Sequence, residues 1–490
     1  MSIHTPDWVK HAVFYQIFPD RFARTAQRPK SSAMSVPVED WKTPPTPFGY
    51  KGGDLWGIIE HLDYIQALGI TAIYLNPIFQ SACNHRYHTH DYYTVDPLLG
   101  GNQAFHDLLT AAHDRGLKVV LDGVFNHASR GFFFFNDILE NGANSPWVDW
   151  FLIEGWPLSA YDGDKPANYV CWADNRALPK INHHNPQARE YIMQVAEHWI
   201  RLGVDGWRLD VANEIQVDGF WQEFRDRIKA INPEAYIVAE IWEDARPWLD
   251  GTQFDGVTNY LFTEPVLAFA VGDRIQKEYV ERPNYTPYPP LNAQGYALRI
   301  EQLLQMYDWN IQLTQLNLLD SHDTPRIFTV AGGEQDREDA VEMAVTRIHL
   351  AVLLLMTFPG APCVYYGDEI GLKGGGEDPS YRYPFPAESD WNQDMLKGYK
   401  ELIHLRHTHP ALRTGDYKTV WTEGHLYGFS RQLPSQTLLV MVNAGPTEAK
   451  GSLFLSTTHP QIKYGSGQCE RVEDQLNVRV PAYSGLVIEL

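Results

Sequence analysis

The stretch GVDGWRLD (203–210) decides how the rest of the chain is read, because its apolar run through Val204, Trp207 and Leu209 ends on a carboxylate, Asp210. An acid at the end of a buried strand is costly to desolvate unless something uses or compensates it. Two other runs end the same way, AYIVAE (235–240) on Glu240 and LNLLDSHD (316–323) on Asp323. Three acids in one architectural position suggest one shared site.

Working outward, eight runs read as strands: AVFYQIFP (12–19), TAIYLNPIF (71–79), KVVLDGVF (118–125), VDGWRLDVA (204–212), YIVAEIW (236–242), FDGVTNYLF (254–262), LNLLD (316–320) and PCVYYGDEI (362–370). Amphipathic segments separate them, such as LWGIIEHLDYIQALG (55–69), where Leu55, Ile58, Ile59, Leu62, Ile65 and Leu68 recur at helical spacing. Near-continuous apolar strands alternating with helices imply parallel strands covered on both sides, and eight such units imply an α/β chain folded as a (β/α)8 TIM barrel. The acids then lie at the C-terminal ends of strands, the face on which such barrels place their chemistry.

Two stretches interrupt this pattern. Residues 128–185, after GVFNH, show no clear periodicity, and a connection this long is expected to be an inserted subdomain walling the site. ERPNYTPYPPLNAQGY (281–296), rich in proline and tyrosine, reads either as a linker or as a rigid aromatic lip. From about Thr414 the pattern becomes short alternating strands, LYGFSRQ, TLLVMVNA, GSLFLS and SGLVIEL, which predict a C-terminal antiparallel β-sandwich. The expected division is a barrel of residues 1–127 and 186–412, an inserted subdomain of 128–185, and a sandwich of 413–490.

Composition narrows the function. With 490 residues, 44% of them hydrophobic, the chain can bury a large core. A formal charge of −21 repels phosphate backbones and anionic membrane surfaces, so nucleic acid and membrane are not expected as partners. Cys83, Cys171, Cys363 and Cys469 form no CxxC, which predicts free thiols rather than a disulfide framework or a zinc knuckle. MSIHTPDWVKHAVFYQ has no secretory pattern and no window approaches about 18 apolar residues, so a soluble cytoplasmic protein is expected.

Three carboxylates can hold a metal, form separate ion pairs, or perform acid/base and nucleophilic work, and their neighbours favour the last. Arg208 lies two residues before Asp210, on the same side of a strand, and holds it ionised as a nucleophile requires. Glu240 lies among Ala239, Ile241 and Trp242, an apolar setting that would favour the protonated form of a general acid. Asp122, Asn126 and His127 end the third strand and His322 precedes Asp323; such groups bind sugar hydroxyls.

The strings DGVFNH (122–127), GWRLDVANEI (206–215), AEIW (239–242) and LLDSHDTPR (318–326) resemble, in order and spacing, the four signature regions of the alpha-amylase family of glycoside hydrolases. The resemblance implies Asp210 as nucleophile, Glu240 as general acid/base and Asp323 as the acid gripping the distorted sugar. It also implies Tyr87, in NHRYHTHDYY, as the aromatic platform, with Asp122, Asn126, His127, Arg208 and His322 around the reacting sugar.

LPKIN (178–182) and Glu214 are similar to the cyclomaltodextrinase, neopullulanase and maltogenic amylase group, whose members accept α-1,4 and α-1,6 glucosidic bonds. By that resemblance Glu214 and Trp242 shape the leaving-group side, and Asp378 and Arg382, in GGGEDPSYRYPF, touch the donor side. The expected substrates are maltooligosaccharides, pullulan or cyclodextrins, cleaved by hydrolysis through a covalent glycosyl-Asp intermediate. Transfer to sugar acceptors is the alternative, and a non-catalytic glucan-binding barrel a distant one.

The chain departs from that group in three places. WVKHAVFYQIFPDRF opens the barrel at once, so the dimer built by an N-terminal domain is not expected and a more open, debranching site is. RTAQRPKS (24–31) has no acidic ligand, so no calcium is expected at that loop and no cofactor is required, although Asn126 and the insertion leave calcium open elsewhere. His88 stands where the group has Asp. The pairs His88/His90 and His183/His184 lack an HExxH pattern and read as loop histidines, with no metal site predicted; KGGG (373–376) reads as a loop on the catalytic face.

Overall fold

The computed structural model describes residues 3–25, 36–280, 289–335, 337–376, 378–454 and 459–490. Residues 281–288 of the stretch read as a linker or aromatic lip (281–296), most of the loop after Arg24, Glu377 and the end of GSLFLS lie outside them, and the end of that stretch instead begins the helix Ala293–Leu304. The chain forms two compact units, residues 16–66 with 71–257, and residues 1–15, 67–70 and 258–490.

Eight strands close a barrel: β1 (Phe14–Ile17), β2 (Ala72–Leu75), β3 (Lys118–Gly123), β4 (Gly206–Leu209), β5 (Tyr236–Ala239), β6 (Gly256–Asn259), β7 (Leu316–Leu318) and β8 (Ala361–Tyr365). They neighbour one another in sequence order, β8 returning to β1, and the strands from β2 to β8 pair in parallel wherever a register is defined. Each strand is shorter than its apolar run. The run continues past the last ladder hydrogen bond into the loop that carries the site residues. Asp210 and Glu240 therefore lie one residue beyond β4 and β5, whereas Asp323 lies on a turn five residues beyond β7. The acid next to that strand's end is Asp320, which is buried and accepts from the Ile327 backbone N–H at 2.6 Å.

In the first unit, Trp207 on β4 is fully buried, packs edge-on to Phe125 at 5.2 Å and donates its indole N–H to Ala196 O at 3.3 Å. Ala196 lies on the helix Pro186–Arg201, which starts at Asn185: its side chain accepts from the N–H groups of Gln187 and Ala188, and Pro186 takes a first-turn position that has no partner to lose. Gly203 at φ +105 follows its end. Asp205 then binds the backbone N–H of Val119 at 2.9 Å, Lys118 at 2.8 Å and His113 at 2.7 Å, fixing the starts of β3 and β4 together.

The insertion contains a helix, Phe133–Asn141, that the aperiodic reading of 128–185 missed. Its buried face is only Phe135 and Ile138, with Phe133 exposed, so a helix this short shows little periodicity. Phe134 contacts Trp150 at 4.1 Å and Trp147 at 4.7 Å. The insertion returns beside its own start, where His127 pairs with Lys180 and Phe151 with Ile181.

The second unit holds the helix Glu338–Thr357, which is long and apolar enough to cross a membrane by composition; it escaped the sequence reading, and 72% of its apolar window is buried within the protein, as in a core helix. The C-terminal strands are β9 (Asp416–Glu423), β10 (Leu426–Leu433), β11 (Gln436–Asn443), β12 (Ala449–Phe454), β13 (Gln461–Tyr464), β14 (Gln468–Val472), β15 (Gln475–Val480) and β16 (Ser484–Glu489). They form an antiparallel sheet in the order β9-β10-β11-β16-β13 and another in the order β12-β15-β14. Leu439, Met441 and Ile488 of one sheet share a buried cluster with Leu476, Val478 and Val480 of the other, so the predicted sandwich is present.

At Gly206, β4 and β5 approach closely: a Cβ there would meet Tyr236 O at 2.3 Å and Tyr236 N at 2.9 Å. Both contacts are backbone and neither can swing away. Gly206→Ala is expected to destabilise the protein by about 1–3 kcal/mol, read as a lowered thermal midpoint.

Candidate active site

In the first unit, the expected site residues lie at the ends of β2 to β5. Arg208 is 2% exposed and lies among three carboxylates. Its Nη1 donates to Asp122 at 2.9 and 3.1 Å and to Asp210 at 3.0 Å, and its Nη2 pairs with Glu240 Oε2 at 2.9 Å. The alternation that pointed Arg208 and Asp210 the same way is borne out by that contact.

The apolar setting expected for Glu240 is not found. Besides Arg208, Glu240 Oε2 accepts from the Val211 backbone N–H at 3.1 Å, and its Oε1 accepts from Trp242 Nε1 at 3.1 Å. These donors come from a neighbouring strand, a backbone turn and an indole edge, none of which hydropathy reveals. Val211 supplies its N–H from φ 39, ψ 46, a left-handed conformation that is an outlier for a β-branched residue. Such strain persists only where surrounding contacts over-determine it.

Asp122 is the most enclosed of the three acids. Tyr74 OH donates to its Oδ2 at 2.7 Å and Tyr87 OH at 3.0 Å, while Asn76 donates to the Tyr87 oxygen at 3.1 Å. Burial pushes the Asp122 carboxyl up to about 6, against the opposing pull of Arg208. Tyr74 and Asn76 were missed; both come from the TAIYLNPIF run, and their same-side spacing was the available signal.

His127 stacks on Trp172 at 5.2 Å, and its Nδ1 lies 3.3 Å from Asn126 Nδ2. Burial pushes it down to about 3, so the ring is neutral over the ordinary range. Asn126 and His127 also carry the main chain that receives the insertion, since Ile181 N donates to Asn126 O at 3.1 Å. Glu214 is half-exposed and pairs with Lys180 at 3.1 Å, a partner inside LPKIN that the sequence reading left unused.

In the second unit His322 Nε2 lies 3.0 Å from Asp323 Oδ2. Arg382 donates to Asp323 Oδ1 at 3.1 Å and to His322 O at 2.8 Å, and pairs with Asp378 at 3.1 Å. Arg382 is thereby fastened to the His322–Asp323 turn. Behind it Arg326 lies over Tyr365 at 4.1 Å and pairs with Asp368 at 3.0 Å. Burial raises both Asp368 and Asp320, against the opposing pull of Arg326.

The histidines divide differently from the expected pairs. His183 is buried and its Nε2 donates to Phe125 O at 2.9 Å, closing the insertion's exit against the end of β3. His88 instead joins Cys83 and His85, whose ligand atoms all lie within 4.8 Å of one another.

The Alpha amylase, catalytic domain family pattern matches residues 16–432. The chain belongs to the alpha-amylase family. It is similar to the crystal structure of a debranching enzyme from Nostoc punctiforme, at 58% identity and TM-score 0.91 over 100% of both chains. A cyclomaltodextrinase from a Bacillus species is 40% identical over 89% of this chain and 73% of its own length. Neopullulanase 2 from Thermoactinomyces vulgaris is 40% identical over 90% of this chain and 70% of its own. The protein is thus a glycoside hydrolase of that family.

Burial pushes His183 down to about 4, below the ordinary 6.5 of an unfolded chain. Between those values the unfolded state binds a proton that the folded state refuses, so the stability His183 contributes is complete above pH 6.5 and is lost as pH falls toward 4. Thermal midpoints measured across that window are expected to fall more steeply in the wild type than in His183→Gln.

Proposed function

We propose that the protein is a retaining α-glucan hydrolase that debranches α-1,6 linkages and also cleaves α-1,4 bonds in maltooligosaccharides, pullulan or cyclodextrins. Asp210 attacks the anomeric carbon, Glu240 protonates the departing glycosidic oxygen and then deprotonates the incoming water, and Asp323 binds the ring hydroxyls of the flattened sugar. The reading is carried by one observation: Asp210 and Glu240 are bound by the two terminal nitrogens of a single guanidinium, at 3.0 and 2.9 Å. Two carboxyls sharing one guanidinium suit the retaining separation of about 5–5.5 Å better than the wider ~6.5–9.5 Å of inverting pairs.

The surrounding residues have matching tasks. Arg208 keeps the nucleophile charged, and Tyr87, fixed through Asp122 and Asn76, offers its ring beneath the reacting sugar. His127, neutral and stacked on Trp172, binds hydroxyls without adding charge, His322 binds them beside Asp323, and Trp242 steadies Glu240 through its indole N–H. Glu214 with Lys180 lines the leaving-group side, and Arg382 with Asp378 the donor side. The α-1,6 preference is supported by the likeness to the Nostoc debranching enzyme, and the α-1,4 activity by the likeness to the cyclomaltodextrinase. The cysteines of the described structure are free thiols, which suits the reducing cytoplasm.

Asp210→Asn and Glu240→Gln are each expected to lower kcat by at least about 10³-fold on pullulan. Activated aryl maltosides, whose leaving group needs no proton, should recover much of the first step in Glu240→Gln but not in Asp210→Asn. Full hydrolysis by either variant on the natural substrate would refute the assignment. Linkage-resolved digestion of pullulan, cyclodextrin and branched maltooligosaccharides tests the bond preference, which fails if only cyclodextrins are cut.

A further inference from the structure

The turn that carries Tyr87 holds a second constellation. The strands Phe79–Ser81 and Thr89–Val95 pair antiparallel, and the connection between them presents Cys83, His85 and His88. Cys83 Sγ lies 3.5 Å from His85 Nδ1, and the two imidazoles meet edge to face with centroids 5.2 Å apart. The backbone beneath is fixed from several sides. Buried Arg86, at φ 61, pairs with Asp96 at 3.0 Å and donates to Asn84 O at 2.6 Å, and Ser81 Oγ donates to His88 O at 2.7 Å.

A thiolate and two imidazoles are a donor set for borderline-soft divalent ions, zinc above all, rather than for calcium or magnesium. In a tetrahedral zinc site with bonds of about 2.3 Å to sulfur and 2.0–2.1 Å to nitrogen, a sulfur–nitrogen edge is about 3.5 Å. The Cys83–His85 pair already has that separation. We propose that Cys83, His85 and His88 form a zinc site beside the platform tyrosine, with the fourth position left to water, and that zinc bound there inhibits hydrolysis.

Inhibition follows from a shared lone pair. His85 Nδ1 accepts from the Tyr87 backbone N–H at 3.2 Å, and a metal bound at that nitrogen takes the same electrons. Tyr87 then loses the acceptor that holds its main chain, while its hydroxyl is the donor reaching Asp122. On binding, the Cys83 S–H bond breaks, its proton passes to solvent and the sulfur–zinc bond forms, with no change of oxidation state. The inhibition rests on the proposed role of Tyr87; the binding does not.

Cobalt(II) titrated into the chelator-stripped full chain tests the binding without any glucan. The expected result is one equivalent bound with a thiolate-to-cobalt charge-transfer band, displaced by zinc and abolished in both Cys83→Ser and His88→Asn. A wild type without that band, or a Cys83→Ser protein that keeps it, would overturn the site. In the activity arm, zinc should inhibit the wild type reversibly, chelator restoring the rate, while Cys83→Ser keeps its basal rate and becomes at least tenfold less sensitive. A cobalt band that behaves as expected together with hydrolysis indifferent to zinc overturns the coupling to Tyr87.

Discussion

One guanidinium organises the catalytic ends of β3, β4 and β5. Arg208 sits at the end of the middle strand and reaches a carboxylate of each. Three buried acids without a cation would repel one another and could not stay charged together; a cation without the acids would be as costly. The cluster is therefore stable only as a set. Its net negative character is relieved at Asp122, which burial raises to about 6, and by the hydroxyls of Tyr74 and Tyr87. Removing Arg208 would leave three buried carboxyls without their shared cation, so its loss should cost more than the loss of any one acid.

This arrangement also explains the strained turn that follows Asp210. Glu240 needs a donor besides Arg208, and the nearest backbone N–H belongs to Val211. Pointing that N–H at the carboxylate requires a left-handed residue. Glycine would adopt that conformation freely; valine adopts it at a cost, and the turn is held by the contacts around it.

The barrel was legible because its determinants are local: apolar runs of strand length separated by helical periodicity. Arg208 beside Asp210 was legible for the same reason, as alternation along one strand. What escaped depends on chain segments far apart in sequence. The polar setting of Glu240 comes from Arg208, 32 positions upstream, and from a backbone N–H that carries no sequence signal. Asp320 was hidden because LNLLDSHD contains two acids and the strand stops before either of them. Lys180 gained its meaning from a pairing with Glu214, and Cys83 with His88 from a hairpin tip that hydropathy reads only as a loop.

The insertion after β3 leaves and re-enters the barrel at one place. Ala128 N donates to Pro179 O and Ile181 N to Asn126 O, both at 3.1 Å, so the two ends are stitched together before the insertion's own packing begins. Once such a neck is closed, lengthening the loop beyond it adds only about 0.6 kcal/mol per doubling. The neck thus works as an evolutionary firewall: the insertion is free to be lengthened, shortened or rebuilt while the acids on the neighbouring strand ends keep their geometry.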